Sequence, residues 1–101
     1  MIDPKLAKKW KSAEIMLRQA SEFLHEPTRF SLTASELEDY KQYLRVNELG
    51  LAMEELESIA LEFGAKSGFW RRLKKAAIQM DLVEKSEEYE VQFHKALSEN
   101  Q

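Results

Sequence analysis

Residues 47–64 read NELGLAMEELESIALEFG, and this stretch decides the fold class. Its apolar residues recur every three or four positions, which is the period of an α-helix with one buried face. Asn47 is a residue type that caps the start of a helix, and Gly64 is one that ends it. The stretch therefore predicts a helix whose inward stripe is Leu49, Ala52, Met53, Leu56, Ile59, Ala60 and Phe63.

The N-terminal segment predicts a second amphipathic helix with a clear start and end. Asp3 is placed to cap it and Pro4 to occupy its first position. Pro27 should end it near His25 or Glu26, since the residue before proline avoids the helical region. Its inward stripe is Leu6, Trp10, Ala13, Leu17, Ala20 and Leu24.

Three further segments repeat at the same period, and no segment alternates like a strand. Thr33 and Glu36 predict a capping box for a short helix before Asn47, and Ser67 predicts the cap of the helix that follows Gly64. A last helix is expected from about residue 83 to 98. The inward residues of these helices are Leu37, Tyr40 and Leu44, then Phe69, Leu73, Ala76, Ala77 and Met80, then Tyr89, Phe93, Ala96 and Leu97.

Length and composition agree with one small helical domain. The 101 residues have room for a single core, and the connections are short enough to join antiparallel neighbours. We therefore predict an all-α, compact bundle of four to five helices over residues 1–101. The chain has no cysteine, no apolar run of about 18 residues and no apolar leader after Met1. These features lead us to expect a cytoplasmic protein with no membrane contact.

Charge alternates along the chain although the formal net charge is only −3. Residues 35–63 hold two basic and eight acidic side chains, whereas residues 64–82 hold five basic and one acidic. Such a layout either steadies neighbouring helices against each other or presents an acidic surface to a basic partner.

The residues that perform catalysis or hold metals are scarce. The two histidines, His25 and His94, stand in no metal-binding spacing, and HEP at 25–27 lacks the second histidine of a zinc-protease motif. GAKS at 64–67 lacks the earlier glycine of a phosphate-binding loop. We predict that the protein is not an enzyme, with no catalytic residue, no cofactor and no metal.

The segment FWRRLKK, residues 69–75, is the one candidate for nucleic-acid binding. Arg71, Arg72, Lys74 and Lys75 share a predicted helix with Trp70. A nucleic-acid-binding domain usually carries a clear basic excess, because phosphate contacts dominate its affinity. This chain has the opposite balance, so the basic residues are expected to pair with the acidic helices beside them.

The outward side of the helix at 47–64 leaves two interpretations open. At about 100° per residue, Leu51, Glu54, Ser58, Leu61 and Glu62 lie opposite Leu56. Either the two leucines are buried because the helix runs through the middle of the bundle, or they anchor a partner inside an acidic rim. Glu38, Asp39 and Tyr43 of the preceding helix would lie near such a surface.

The stretch YLRVNELGLAMEELESIALEFG, residues 43–64, resembles the central motif of the small bacterial MafI-like immunity proteins. The residues that carry the resemblance are Glu48, Gly50, Leu51, Ala52, Met53, Glu54 and Leu56, and RRLKKAAIQM matches the helix that follows. The resemblance covers about residues 40–82. These families protect bacteria against their own polymorphic toxins and contact-dependent growth inhibition toxins.

The resemblance implies a non-catalytic protein that binds and neutralises one cognate toxin domain. A nuclease is the expected toxin, since an acidic surface can stand where nucleic-acid phosphates normally sit. We expect a monomer or weak homodimer that makes no direct contact with nucleic acid. The alternatives are a nucleic-acid-binding regulator using residues 69–80 and a dimerising adaptor. The expected partner-binding residues are Glu38, Asp39, Tyr43, Leu51, Glu54, Glu57 and Glu62.

Overall fold

The computed structural model describes residues 3–23 and 34–99, and five helices account for most of them. These are α1 Pro4–Ser21, α2 Ala34–Arg45, α3 Leu49–Phe63, α4 Ser67–Gln79 and α5 Val83–Glu99. The prediction of an all-α bundle is confirmed, and the last helix spans almost the range expected from its periodicity.

Helix α4 is the centre of the bundle. It packs along α1 on one side and α5 on the other, while α2 packs on α3, and α3 also contacts α1. The Cα atoms extend 45 × 29 × 17 Å. The shortest extent fits two layers of helices about 8–10 Å apart. The helices α1, α4 and α5 therefore form one layer, and α2 and α3 form the other.

The core fills the space between these two layers. The largest fully buried side chains come from four different helices, so no single helix pair holds the fold together. They are Leu17, Met53, Leu56, Phe69, Leu73 and Tyr89. Each buried side chain of this size stabilises the folded state by about 1.5–3 kcal/mol relative to an exposed one.

Helix α1 begins as predicted and ends before the predicted residue. The Asp3 carboxylate accepts a hydrogen bond from the Lys5 amide at 2.9 Å, and Pro4 occupies the first position. The helix ends at Ser21 rather than near His25 or Glu26. The chain turns there because the Phe23 carbonyl accepts a hydrogen bond from the Lys66 amide at 3.1 Å, which joins α1 to the start of α4. Leu24, His25, Glu26, Pro27 and the Thr33 cap lie outside the described residues.

Asn47 ends α2 instead of capping α3, which corrects the prediction. Its φ is 59°, a left-handed conformation that asparagine tolerates better than most residues. The Asn47 amide donates to the Leu44 carbonyl at 3.2 Å and the Glu48 amide to the Tyr43 carbonyl at 2.8 Å. This pair of bonds closes the C-terminal end of a helix, so Glu48 takes the position before α3.

Helix α4 ends in the same way, with Asp81 at a φ of 58°. The Asp81 amide donates to the Ile78 carbonyl at 3.0 Å, and the Leu82 amide donates to the Ala77 carbonyl at 2.9 Å. At the start of α4, Lys66 rather than Ser67 is the flanking residue, and it makes no side-chain cap. Both α2 and α4 thus stop without glycine.

Gly64 ends α3 as predicted, with a φ of 93° and a ψ of 158°. Three predicted core positions are more exposed than expected, namely Leu6 at 38%, Phe63 at 37% and Leu97 at 41%. All three lie close to the end of their helix, where fewer neighbours remain to cover the inward stripe. Phe93 and Met80 are partly buried against the core.

Candidate functional site

The outer face of α3, defined here as Leu51, Glu54, Ser58, Leu61 and Glu62, is exposed at every position. Leu51 is 43% exposed and Leu61 is 58% exposed. The inward residue Leu56 is completely buried on the opposite side of the same helix. The interpretation that the two leucines are buried is therefore wrong, because none of the described helices covers them.

Two carboxylates of the outer face form no ion pair with the described side chains, which are those of residues 3–23 and 38–99. Glu54 and Glu62 form no hydrogen bond or ion pair with any of these side chains. Asp39 on α2 is exposed and is likewise without an ion pair there. These three predicted site residues keep their negative charge available at the surface.

Glu57 faces α5 and is not part of the outer face. Its carboxylate accepts hydrogen bonds from the Tyr89 hydroxyl at 2.7 Å and from Lys85 Nζ at 3.1 Å. Burial, followed by this bond to Glu57, raises the pKa of the Tyr89 hydroxyl above its ordinary value. The separate hydrogen bond from Lys85 to Glu57 raises the pKa of Lys85. The contacts of Glu57 therefore give it a structural role, which joins the two helix layers.

Glu38 and Tyr43 are also engaged within the molecule. Arg45 Nη2 lies 2.6 Å from a Glu38 carboxylate oxygen, in an exposed ion pair. Glu38 lines a groove with Arg18, Lys41 and Arg45, so cations surround it on the α1 side of α2. Tyr43 is half-buried and packs against the core. Of the seven predicted site residues, only Leu51, Glu54 and Glu62 share the outer face of α3.

Gly50 is a feature of this surface that sequence reasoning used only as part of a motif. A Cβ atom built at Gly50 meets nothing within 4 Å, so packing does not require a glycine there. Glycine in a helix interior costs about 0.5–1 kcal/mol relative to alanine. The sequence feature that points to this position is a glycine in the first turn of a strongly apolar helix. Without a side chain, Gly50 leaves backbone uncovered beside Leu51 and one turn before Glu54.

A shallow groove of about 240 Å³ adjoins the C-terminal end of the outer face. Leu61 forms part of its rim on α3, and Lys95 and Glu99 form part of its rim on α5. Trp70 lines it although that side chain is only 4% exposed. The groove extends the apolar contact area that starts at Leu61.

The basic helix α4 is largely committed to the fold. Trp70 is buried, with its ring 4.9 Å from that of Phe69 and 5.9 Å from that of Tyr89. It cannot stack on a nucleic-acid base without unfolding. The Arg72 guanidinium lies 4.2 Å from the centre of the Phe23 ring, and Lys74 pairs with Glu90. Of the four cations that could contact a nucleic acid, these contacts leave only Arg71 and Lys75.

Within the part of the chain that the structure describes, no group of three or more His, Asp or Glu side chains could hold a metal ion. His94 pairs with Glu90 at 2.9 Å, and His25 lies outside the described residues. No described helix is long and apolar enough to cross a membrane.

Comparisons of the chain with family models, curated proteins and solved structures found no match.

Proposed function

We propose that the protein is an immunity protein that binds a cognate bacterial toxin domain through the outer face of α3. One observation carries the proposal: Glu54 and Glu62 stand unpaired among the described residues, beside the exposed Leu51 and Leu61. Apolar anchors inside a charged rim are typical of specific protein interfaces. Unpaired carboxylates favour a cationic partner and speed its approach.

A nuclease toxin fits this face best. The groove of a nuclease is positively charged because it binds phosphates, so it attracts the same carboxylates that repel nucleic acid. Leu51 and Leu61 are ten residues apart, which places them about 15 Å apart along α3. The bare backbone at Gly50 lets a partner side chain come close to the helix axis next to Glu54.

An adaptor that dimerises through α3 fits the charges less well. In a two-fold interface the same surface patch meets its copy, so glutamates of the outer face would meet glutamates. Like charges placed opposite each other across an interface cost several kcal/mol. A partner with positive charge avoids this repulsion.

Co-expression tests the proposal directly. The probe is the C-terminal domain of the large open reading frame next to this gene, and the expected result is a stable complex and a neutralised toxin. Glu54→Lys should weaken the complex by about 2 kcal/mol or more, since it places a positive charge against a cationic partner.

Glu87→Lys is the matched control, because Glu87 is an equally exposed glutamate on α5. It should leave affinity and thermal stability unchanged. Equal losses from both variants would show that net charge acts rather than the outer face of α3. Absence of any complex with this toxin domain would overturn the immunity function.

A further inference from the structure

The groove between α4 and α5 combines cationic side chains with apolar ones. It encloses about 300 Å³ and lies on the outer side of α4. This volume is at the lower limit of small-molecule sites. Its lining is Arg71, Lys74, Lys75, Ile78, Glu90 and Phe93.

Arg71 and Lys75 are exposed cations of α4 that form no ion pair with the described side chains of residues 3–23 and 38–99. Arg72 forms no ion pair with these side chains either, but it is half-buried against the Phe23 ring. Arg71 and Lys75 are four residues apart on one helix face, where like charges repel each other. An anion between them removes this repulsion.

The negative charge in the groove is already balanced. Glu90 pairs with Lys74 and with His94, whose Nε2 lies 2.9 Å from the carboxylate. The neighbouring Lys74 holds the pKa of Glu90 below its usual range. Glu90 therefore stays ionised and paired, and it leaves Arg71 and Lys75 to an outside ligand.

The groove also offers an apolar surface beside the two free cations. Phe93 is half-buried, and the Arg71 guanidinium lies 5.0 Å from the centre of its ring. Ile78 is 50% exposed at the other side of the groove. This ring contact holds the guanidinium of Arg71 beside the Phe93 ring in the lining of the groove.

We propose that this groove binds a small organic phosphate, a phosphate monoester on an aromatic or aliphatic body. A guanidinium matches phosphate oxygens with two parallel hydrogen bonds, and Lys75 supplies the second charge for the dianion. The body of the ligand packs on Ile78 and Phe93. The proposal is independent of the toxin-binding face, because it uses different helices and charges of the opposite sign.

A nucleic acid fits the same residues less well. Its affinity comes from many phosphate contacts along the strand, whereas two adjacent cations contact one or two phosphates. Base stacking needs an exposed aromatic ring, and Trp70 is buried.

Nuclear magnetic resonance titration of the isotope-labelled protein with phenyl phosphate tests the proposal. We expect saturable shifts confined to α4 and α5, with a millimolar dissociation constant typical of a small fragment. Inorganic phosphate lacks the apolar body and benzyl alcohol lacks the charge. Each should bind at least about fivefold more weakly, since each loses one of the two contacts.

Two variants locate the site. Arg71→Gln and Lys75→Gln should each weaken phenyl phosphate by about fivefold, which is typical of an exposed ion pair. Both side chains are exposed, so the fold should be retained. Lys8→Gln removes an exposed lysine from α1 and should have no effect.

Three outcomes would overturn the proposal. Shifts that do not saturate would show that no site exists. Equal affinity for inorganic phosphate and phenyl phosphate would show that only charge acts. Unchanged binding in both variants would place the ligand elsewhere on the protein.

Discussion

At the scale of single residues, the three glycines occupy three different physical situations. Gly64 has a φ of 93° and a ψ of 158°, a conformation that costs other residues about 1–3 kcal/mol. A Cβ at Gly68 would lie 2.6 Å from a ring atom of Phe23. A Cβ at Gly50 would meet no atom within 4 Å, so packing does not require glycine there. Of the three, only the role of Gly64 as the end of a helix follows from its position in the sequence.

Alanine substitutions at Gly50 and Gly68 should change stability in opposite directions. Gly68→Ala should lower the free energy of unfolding by about 1–3 kcal/mol, because the new methyl group displaces the ring of Phe23. Gly50→Ala should raise it by less than about 1 kcal/mol, because Gly50 lies in the first turn of α3, where the helix propensity of alanine acts only in part. Urea denaturation of the two variants measures both changes, and a loss of stability in Gly50→Ala would contradict the open space described there.

At the scale of helices, α3 and α5 are joined by a partly buried hydrogen bond and an ion pair, both of which Glu57 accepts. Tyr89 is 1% exposed, and its hydroxyl donates to Glu57 across the two layers. Lys85 supplies the positive charge that balances Glu57. Glu54 and Glu57 lie on one helix only three residues apart, yet Glu54 is exposed and unpaired among the described side chains whereas Glu57 bonds two residues of α5.

Alanine variants of these two glutamates should separate the roles. Glu57→Ala leaves the buried Tyr89 hydroxyl without an acceptor and should cost about 1–3 kcal/mol of unfolding free energy. Glu54→Ala should change it by less than about 0.5 kcal/mol, since its side chain is exposed. Thermal or urea unfolding checks both values, and equal losses would show that Glu54 also contributes to the fold.

The Tyr89 hydroxyl should also make stability depend on alkaline pH. Its pKa is higher in the folded protein than the ordinary value of 10.0. The stability that it contributes is therefore complete below pH 10.0 and is lost as the pH rises through the folded-state pKa. Tyr89→Phe should be less stable at neutral pH and should lose less stability above pH 10.0, as measured by urea unfolding across that range. Parallel pH profiles for both proteins would contradict this assignment.

At the scale of the whole molecule, the unpaired acidic side chains of α3 and the unpaired basic side chains of α4 occupy different surfaces. The outer face of α3 carries Glu54 and Glu62, whereas the groove of α4 and α5 carries Arg71 and Lys75. Leu56 and Leu73 belong to one core, so the two helices turn their polar sides outward from it in different directions. A net charge of −3 thus conceals two surfaces of opposite charge.

Together with the proposed function, this layout predicts that association with a toxin domain depends on salt mainly through its rate. Raising the ionic strength from about 0.05 M to 0.5 M should lower the association rate by about tenfold, because it screens the long-range attraction. The dissociation rate should change much less, since the leucine contacts are short-range. Surface plasmon resonance at several salt concentrations separates the two rates. A fall in affinity caused only by faster dissociation would contradict electrostatic steering.

The sequence by itself determined the helices and their inward stripes, because the period of apolar residues is a local property of three or four neighbouring positions. Leu56, Leu73, Tyr89 and most other predicted core residues are buried accordingly. The same local pattern also supplied Leu51 and Leu61 as outward residues of α3. The left-handed Asn47 was missed, because asparagine suits both ends of a helix and only the hydrogen bonds of the chain select one.

Only the tertiary structure decided which outward residues are free. Glu54 and Glu57 are the same residue type in the same helix, and their fates differ because α5 approaches one side of α3 and not the other. The burial of Trp70 and the pairing of Lys74 depend likewise on α5, whose Tyr89 and Glu90 lie several helical turns further along the chain. Helical period is encoded within a turn, whereas the neighbour that covers each face is set by how distant helices pack.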